Sequence, residues 1–510
     1  MERPEFDPER EREFVARGWW RDGDTLSRWL RRHAEERAGA AALELAGTVL
    51  TWGELQDRVL RVAAGLEARG IAAGDVVAVQ LPNIPEFLIA HLAIARLGAV
   101  TGTLHMPYRE AEIETLLRHS GARAAFCMPK MAASFRAILG RTQGTVIEAG
   151  PELVELGRAA PLPASHPEPD ARDAFLLLYT SGTTAAPKGV VHPYRSMLGN
   201  SRLGAGELGL RERDRVLCAA PFTHLYGLYS LHCAWAVGAC TVLLPQFTPN
   251  DLSVSVEKYR PTALWTAPAH VAGVRAQGLF DKHDWSSLRL AIVSGSRAAP
   301  DLMRYVAARL PGCAVTQLWG MTEIQAGLYT RPGDPPEVSA TSAGRPSPGT
   351  EIRLGEDGEL QVRGPLLFAG YLDNPAATRN AFTADGWFCT GDLGEKRDGS
   401  FYAIVGRNKD IINRGGVKFN PADIEALLEG HPKILQAAVV PMPDPILGEK
   451  ACAFVTLKPG AAAPALEELA AWLLEQRIAK NKLPERLVVI DEMPLTPTRK
   501  IIKGRLRIPD

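Results

Sequence analysis

Tyr179-Thr-Ser-Gly-Thr-Thr-Ala-Ala-Pro-Lys-Gly189 follows directly on an apolar run, Ala174-Phe-Leu-Leu-Leu-Tyr179. The run has the length and composition of a buried strand. The stretch after it holds the hydroxyl residues Thr180, Ser181, Thr183 and Thr184, with Gly182 among them and then Lys188. Backbone amides beside a glycine, with hydroxyls around them, can cradle phosphate oxygens, and Lys188 adds a point charge. The spacing is not that of a P-loop NTPase, because no Gly-Lys-Ser/Thr triplet follows. A polar surface loop is the weaker reading of so dense a pattern.

Outward from this stretch the chain alternates strand and helix. Thr51-Trp-Gly-Glu54 is a capping box, and the helix it opens puts Leu55, Val59, Val62 and Leu66 on one face before Gly70 stops it. Strands are expected at Val76–Leu81, near 99–103, and at 174–179, 262–265, 288–293 and 314–319, with a helix over Glu86–Leu97. This alternation predicts an α/β protein with largely parallel sheets, whose ligands gather beyond the carboxyl ends of the strands. From about residue 350 short strands and turns dominate. After Gly406-Arg407 the pattern becomes helix 421–428, strands 435–440 and 451–457, and helix 465–477. The expected organisation is a large domain, 1–405, of parallel-rich sheets flanked by helices with a β-rich subdomain. A linker at 406–410 and a small α+β domain, 411–510, follow.

Lys plus Arg and Asp plus Glu both total 58, so formal net charge is zero. Nothing in that balance points to nucleic acid or an anionic membrane. A 46% hydrophobic and 23% charged chain is ordinary for a globular protein and excludes a disordered, collagen-like or coiled-coil chain. The seven cysteines are widely spaced with no Cys-x-x-Cys, so neither a disulfide framework nor a structural zinc site is expected. A reducing cytoplasm is the expected location. The amino terminus is too charged for a signal peptide. Leu225–Pro245 is mostly apolar, but Gly227, His232 and Gly238 interrupt it and Cys240–Leu244 reads as a buried strand, not part of a membrane span.

The phosphate-type loop resembles that of the adenylate-forming (AMP-binding) superfamily, in its acyl-CoA synthetase and aryl-acid–CoA ligase branch. Ala185 stands where the family pattern has glycine. The resemblance continues in family order across residues 179–500. It implies that Thr180, Ser181, Gly182, Thr183, Thr184 and Lys188 bind the phosphates of ATP. Trp319-Gly-Met-Thr-Glu323 is similar to the family's aromatic-Gly-x-Thr-Glu motif, which implies Trp319 at the nucleotide, Thr322 at the α-phosphate and Glu323 as the Mg²⁺ ligand. Mg²⁺ wants hard oxygen donors shared with phosphates, which a carboxylate supplies. Trp387-Phe-Cys-Thr-Gly-Asp392 resembles the ribose motif, with Asp392 accepting from both hydroxyls. Gly406-Arg-Asn-Lys-Asp410 resembles the hinge segment, with Arg407 at the ribose and Lys409 as pivot; Gly415 and Gly416 would border a CoA tunnel. Pro494-Leu-Thr-Pro-Thr-Arg-Lys500 is similar to the motif of the catalytic lysine, Lys500, with Arg499 replacing glycine and Lys503 nearby. The small domain of this family is mobile.

Pro221-Phe-Thr-His224 resembles the loop whose histidine lines the carboxylate pocket. At the next position amino-acid-activating relatives usually place Asp and dihydroxybenzoate activators often Asn. Leu225 offers neither, so the acid is expected to lack an α-amine and polar decoration there. Trp265, Thr266, Ala267 and Pro268 are expected on one wall of the pocket, and Ser294, Gly295, Ser296, Leu318, Gly320 and Met321 on another. The implied activity is an ATP-dependent acid–CoA ligase for an aromatic, alicyclic or medium-chain acid, with ATP, Mg²⁺ and CoA. The alternative is a stand-alone adenylating enzyme that loads a carrier protein. Gly18-Trp-Trp-Arg-Asp-Gly-Asp-Thr-Leu26, similar to the start of aryl-acid-activating members, keeps that alternative open. A dead nucleotide-sensing scaffold is disfavoured by Lys188, Glu323, Asp392, Arg407 and Lys500. A homodimer is a further partner expectation, and nucleic acid is not. Gly204-Ala-Gly-Glu-Leu-Gly209 fits Gly-x-Gly-x-x-Gly but follows a helical segment, so a Rossmann site is not expected. The histidines show no metal-binding spacing, and no Gly-x-Ser-x-Gly elbow is present.

Overall fold

The computed structural model describes residues 1, 6–180, 187–496 and 500–509. Ser181, Gly182, Thr183, Thr184, Ala185 and Arg499 therefore lie outside the described residues. Two units are present: Met1–Glu351 with Arg363–Gly386, and Ile352–Val362 with Trp387–Asp510.

The first unit is built on two sheets. One has seven strands, in the order Gly370–Tyr371, Lys188–Pro193, Ala174–Thr180, Val100–Thr103, Val76–Gln80, Ala124–Cys127 and Thr145–Glu148. Its last five are parallel, and the hairpin of Ala174–Thr180 and Lys188–Pro193 is antiparallel. The other has nine strands, with a parallel run Cys240–Val242, Arg215–Cys218, Ala263–Thr266, Leu290–Ser294 and Ala314–Met321 near its centre.

Both sheets are covered on both faces, which is why their central strands read as nearly continuous apolar runs. Every residue of Val76–Gln80 and of Leu290–Ser294 is buried. The two-residue period sorts the side chains. Val77 and Val79 join the large core with Trp265, Ile292 and the helices Trp52–Glu67, Pro85–Arg96 and Leu225–Val237. Val76 and Ala78 face a second cluster, and Leu264 and Val293 a third.

Local signals behave as their chemistry requires. Glu54 N donates to Thr51 Oγ1 at 3.3 Å, and Thr51 N donates to Glu54 Oε2 at 2.9 Å. The apolar stretch from Leu225 is a buried helix, Leu225–Val237, ended by Gly238 at φ 72°, then the strand Cys240–Val242. Among the described residues no helix is long and apolar enough to cross a membrane. Gly204 and Gly206 lie inside the helix Tyr194–Glu207, so that glycine pattern is no strand-to-helix turn.

The second unit contains a four-stranded sheet, Glu351–Leu354, Glu359–Arg363, Phe388–Lys396 and Tyr402–Arg407. A five-stranded sheet follows, centred on the long hairpin of Ile434–Asp444 and Gly448–Leu457. Helices Pro421–Glu429 and Leu466–Glu475 supply Ile424, Leu428, Leu469 and Leu473 to its apolar cluster.

Candidate active site

In the first unit, residues expected at the phosphates come from separate elements. Thr180 and Lys188, which flank residues 181–186 in sequence, are register partners on adjacent antiparallel strands. Lys188 Nζ lies 5.1 Å from the centroid of the Tyr371 ring.

Trp319-Gly-Met-Thr-Glu323 straddles the end of the strand Ala314–Met321 and the tight turn into Gln325–Tyr329. Gly320 is required there, because a Cβ would stand 1.6 Å from Gln325 O. The turn is tied from outside by two groups: His192 Nε2 donates to Thr322 O at 2.7 Å, and Phe368 N donates to Glu323 O at 2.9 Å. The Glu323 carboxylate is buried and accepts from Tyr371 Oη–H at 2.9 Å. Burial, then the charge of Glu323, pushes the Tyr371 hydroxyl well above its ordinary range, so it stays a donor.

His224 caps the helix Leu225–Val237, and its Nδ1 accepts from Tyr226 N at 3.1 Å. With Nδ1 accepting, the ring's proton is on Nε2 when His224 is neutral. Its ring stacks 5.9 Å from that of His105. His105 Nδ1 lies 3.3 Å from Thr223 Oγ1, and Thr103 Oγ1 donates to Thr223 O at 2.9 Å, so the loop before His224 is pinned. Leu225, Trp265 and Leu318 are buried in one apolar cluster, and Met321 is half-buried. Gly295 adopts φ 97°, and a Cβ there would come 3.9 Å from Ala267 Cβ, so Gly295 and Ala267 are neighbours. Ser294 is buried, whereas Ser296 is exposed. Thr266 turns to the sheet face opposite Trp265, as the strand period demands.

In the second unit the expected ribose residues meet: Arg407 Nε is 2.8 Å from Asp392 Oδ1. They are register partners on adjacent antiparallel strands, which puts them side by side. Asp392 is buried, and its N–H donates to Thr390 Oγ1 at 3.1 Å. Lys409 is exposed in the one-turn helix Asn408–Asp410. Gly415 and Gly416, at φ 60° and 87°, form the two-residue turn between Ile412–Arg414 and Val417–Phe419. Lys500 N donates to Thr496 Oγ1 at 2.9 Å, and Thr496 N donates to Lys500 O at 2.7 Å. Lys503 Nζ is engaged 2.7 Å from Glu425 Oε1 and 3.7 Å from Asp410 Oδ2.

Tyr371 and His192 escape a reading of the sequence. Neither stands in a dense motif, and each reaches the Thr322–Glu323 turn only through the pairing of Lys188–Pro193 with Gly370–Tyr371.

Residues 30–372 match the AMP-binding enzyme family, and residues 423–500 match the AMP-binding enzyme C-terminal domain. The chain belongs to this family. The AMP-binding enzyme is 33% identical to "4-coumarate--CoA ligase 5" of Oryza sativa subsp. japonica, over 93% of this chain and 92% of that one. It is 32% identical to "2,3-dihydroxybenzoate-AMP ligase" of Bacillus subtilis (strain 168), over 97% and 95%. Among solved structures it is similar to the anthranilate CoA ligase AuaEII in complex with anthranoyl-AMP, at a TM-score of 0.87 and 26% identity, over 94% and 96%. The AMP-binding enzyme is thus an AMP-forming acid–thiol ligase of the adenylate-forming superfamily, in its acyl-CoA synthetase branch, and ATP is its nucleotide.

The residues present fit that nucleotide and a divalent cation. Lys188 and the buried carboxylate of Glu323 both contact Tyr371, and Glu323 stands on a turn tied from two sides. Glu323 would hold Mg²⁺, which supplies charge neutralisation at the phosphates when bound.

Several histidines bear on stability in acid. Burial holds His91 down to about 3 and His105 and His192 down to about 4. The unfolded chain, with histidines near 6.5, takes up protons first as pH falls. Their contribution to stability is therefore complete only well above about 6.5 and drains as pH drops through 6.5 toward 4, by up to about 1.4 kcal/mol per pH unit for each such histidine. Urea midpoints at pH 7, 6 and 5 should fall in that order. A flat series would remove the buried neutral histidines as acid-sensitive elements.

Proposed function

We propose that this AMP-binding enzyme adenylates an apolar carboxylic acid — aromatic, alicyclic or medium-chain — and passes the acyl group to CoA. The observation that carries the substrate class is the shared burial of Leu225, Trp265 and Leu318 beside the His224 cap. That wall is read as giving an acid apolar surface and no charge, with His224 at its carboxylate by the resemblance of its loop.

In the first step a carboxylate oxygen attacks the α-phosphorus of ATP. The new O–P bond forms as the bond to the bridging oxygen breaks, and pyrophosphate leaves with the electron pair. Two anions meet, so positioning and charge stabilisation carry the rate. Thr180, Ser181, Gly182, Thr183, Thr184 and Lys188 hold the phosphates, Thr322 the α-phosphate, and Trp319, Asp392 and Arg407 the nucleoside. Lys500 bridges the carboxylate and phosphate oxygens. Lys503 is committed to Glu425 and Asp410, which supports giving that role to Lys500. In the second step the CoA sulfur attacks the acyl carbon, the bond to AMP breaks, AMP leaves with the pair, and the thiol proton passes to solvent. Residues 406–410, with Lys409 as pivot, reorient the domain 411–510 relative to 1–405 between steps, and Gly415 and Gly416 border the CoA tunnel.

The relative named for its acyl-AMP product favours a second reading, in which the acceptor is a phosphopantetheinyl carrier protein. ATP–pyrophosphate exchange over benzoate, hydroxybenzoates, cyclohexanecarboxylate and C4–C12 fatty acids, repeated with CoA, separates the two. Exchange with rapid CoA thioester formation supports the ligase reading. Exchange without thioester favours the carrier-loading enzyme, and no exchange with any acid would sink both.

Leu225→Asp tests the wall. Burying even a neutral polar group without a partner costs about 2 kcal/mol, and a carboxylate costs more, so apparent affinity for the apolar acid should fall at least roughly 30-fold. Unchanged affinity in a folded variant would place Leu225 outside the pocket.

A further inference from the structure

Tyr371 touches both charged residues of the phosphate site and has no role in the reaction so far. Its strand, Gly370–Tyr371, runs antiparallel to Lys188–Pro193 with Tyr371 opposite Val190, and Leu372 N donates to Gly189 O at 2.7 Å. The pairing places its ring under Lys188, with Nζ 5.1 Å from the centroid. Its hydroxyl donates to Glu323 Oε1 at 2.9 Å. Thr378 Oγ1 accepts from Tyr371 N at 2.9 Å, and a Cβ on Gly370 would stand 3.2 Å from Thr378, so the backbone under the ring is set.

We infer that Tyr371 is a positioning residue that keeps Lys188 and Glu323 apart, its ring holding the ammonium and its hydroxyl holding the carboxylate. Opposite charges in a site shielded from water attract strongly. A direct Lys188–Glu323 pair would consume both the cation meant for phosphate and the carboxylate meant for the metal. A neutral phenol gives each charge a partner of intermediate strength, a cation–π contact on one side and a charge-assisted hydrogen bond on the other. Both charges then stay oriented, and a triphosphate and a cation can compete for them. This rests on reading Lys188 and Glu323 as phosphate and metal ligands.

The experiment measures ATP binding in EDTA by calorimetry, and Mn²⁺ binding to the enzyme–ATP complex by electron paramagnetic resonance. Thermal unfolding of each variant shows that it is folded. Tyr371→Phe keeps the ring, so metal-free ATP affinity should stay within about twofold, while Mn²⁺ affinity falls roughly tenfold on loss of one charge-assisted bond. Tyr371→Leu removes the spacer, so metal-free ATP affinity should fall roughly tenfold as Lys188 pairs with Glu323. Adding Glu323→Gln to Tyr371→Leu should restore that affinity, a rescue that a packing role for Tyr371 would not give. Absence of rescue, or wild-type ATP affinity in Tyr371→Leu, would overturn the inference. Lys188→Ala is the control on its foundation: unchanged metal-free ATP affinity there would remove Lys188 from the phosphate site and the inference with it.

Discussion

Lys500→Ala is expected to slow acyl-adenylate formation by about 10²- to 10³-fold, the range for losing one charged group aimed at a transition state. Thiolysis of supplied acyl-adenylate should change by less than about threefold, because no new anion–anion contact forms in that step. The physical basis is specific. A carboxylate and a triphosphate repel each other until a cation sits between them, and Lys500 is the cation that the carboxy-terminal motif supplies. Its backbone N–H and C=O are both bonded to Thr496, and alanine keeps both of those bonds. Lys503 does not substitute, since its ammonium is already engaged by Glu425 and Asp410. Pyrophosphate exchange reports the first step, and thioester formation from synthetic acyl-adenylate reports the second. Equal loss in both would take Lys500 out of its assigned role.

Lys409→Pro should give the converse. Proline fixes φ near −65° and deletes one N–H. The one-turn helix Asn408–Asp410 tolerates such a φ, and Ile411 N, not Lys409 N, closes it onto Asn408 O. The one-turn helix should persist, and pyrophosphate exchange should remain within about threefold of wild type. Any step that needs φ of residue 409 to change is blocked. Misplacement of the reacting groups then costs about 10²-fold in thioester formation. Single-turnover assays of the two half-reactions on one preparation decide it. Equal partitioning in the variant and the wild type would argue against a pivot at 409.

Much of the fold was legible because its signals are local. The Thr51–Glu54 capping box, the buried strand Val76–Gln80 and the helix Pro421–Glu429 each depend on a few neighbouring side chains and on period. The boundaries differ by a residue or two where a strand runs on into a ligand loop, as at Ala314–Met321, because there the partner strand and not composition decides where pairing stops. The Asp392–Arg407 pair was legible as two motif residues, but their adjacency needs the antiparallel register of two strands.

The sequence alone carried the resemblance to the superfamily, in motifs that stand in family order: a hydroxyl-rich stretch ending in Lys188, then Glu323, Asp392 and Lys500. Residue types at short spacing are enough for such motifs to be legible, and the roles expected of them come from the resemblance. Tertiary structure decided what those groups lean on. Tyr371 between Lys188 and Glu323, His192 behind Thr322 and the commitment of Lys503 to Glu425 come from strands and helices remote in sequence. No window of sequence carries such contacts, because side chains distant along the chain meet only once sheet register has set which residue stands opposite which.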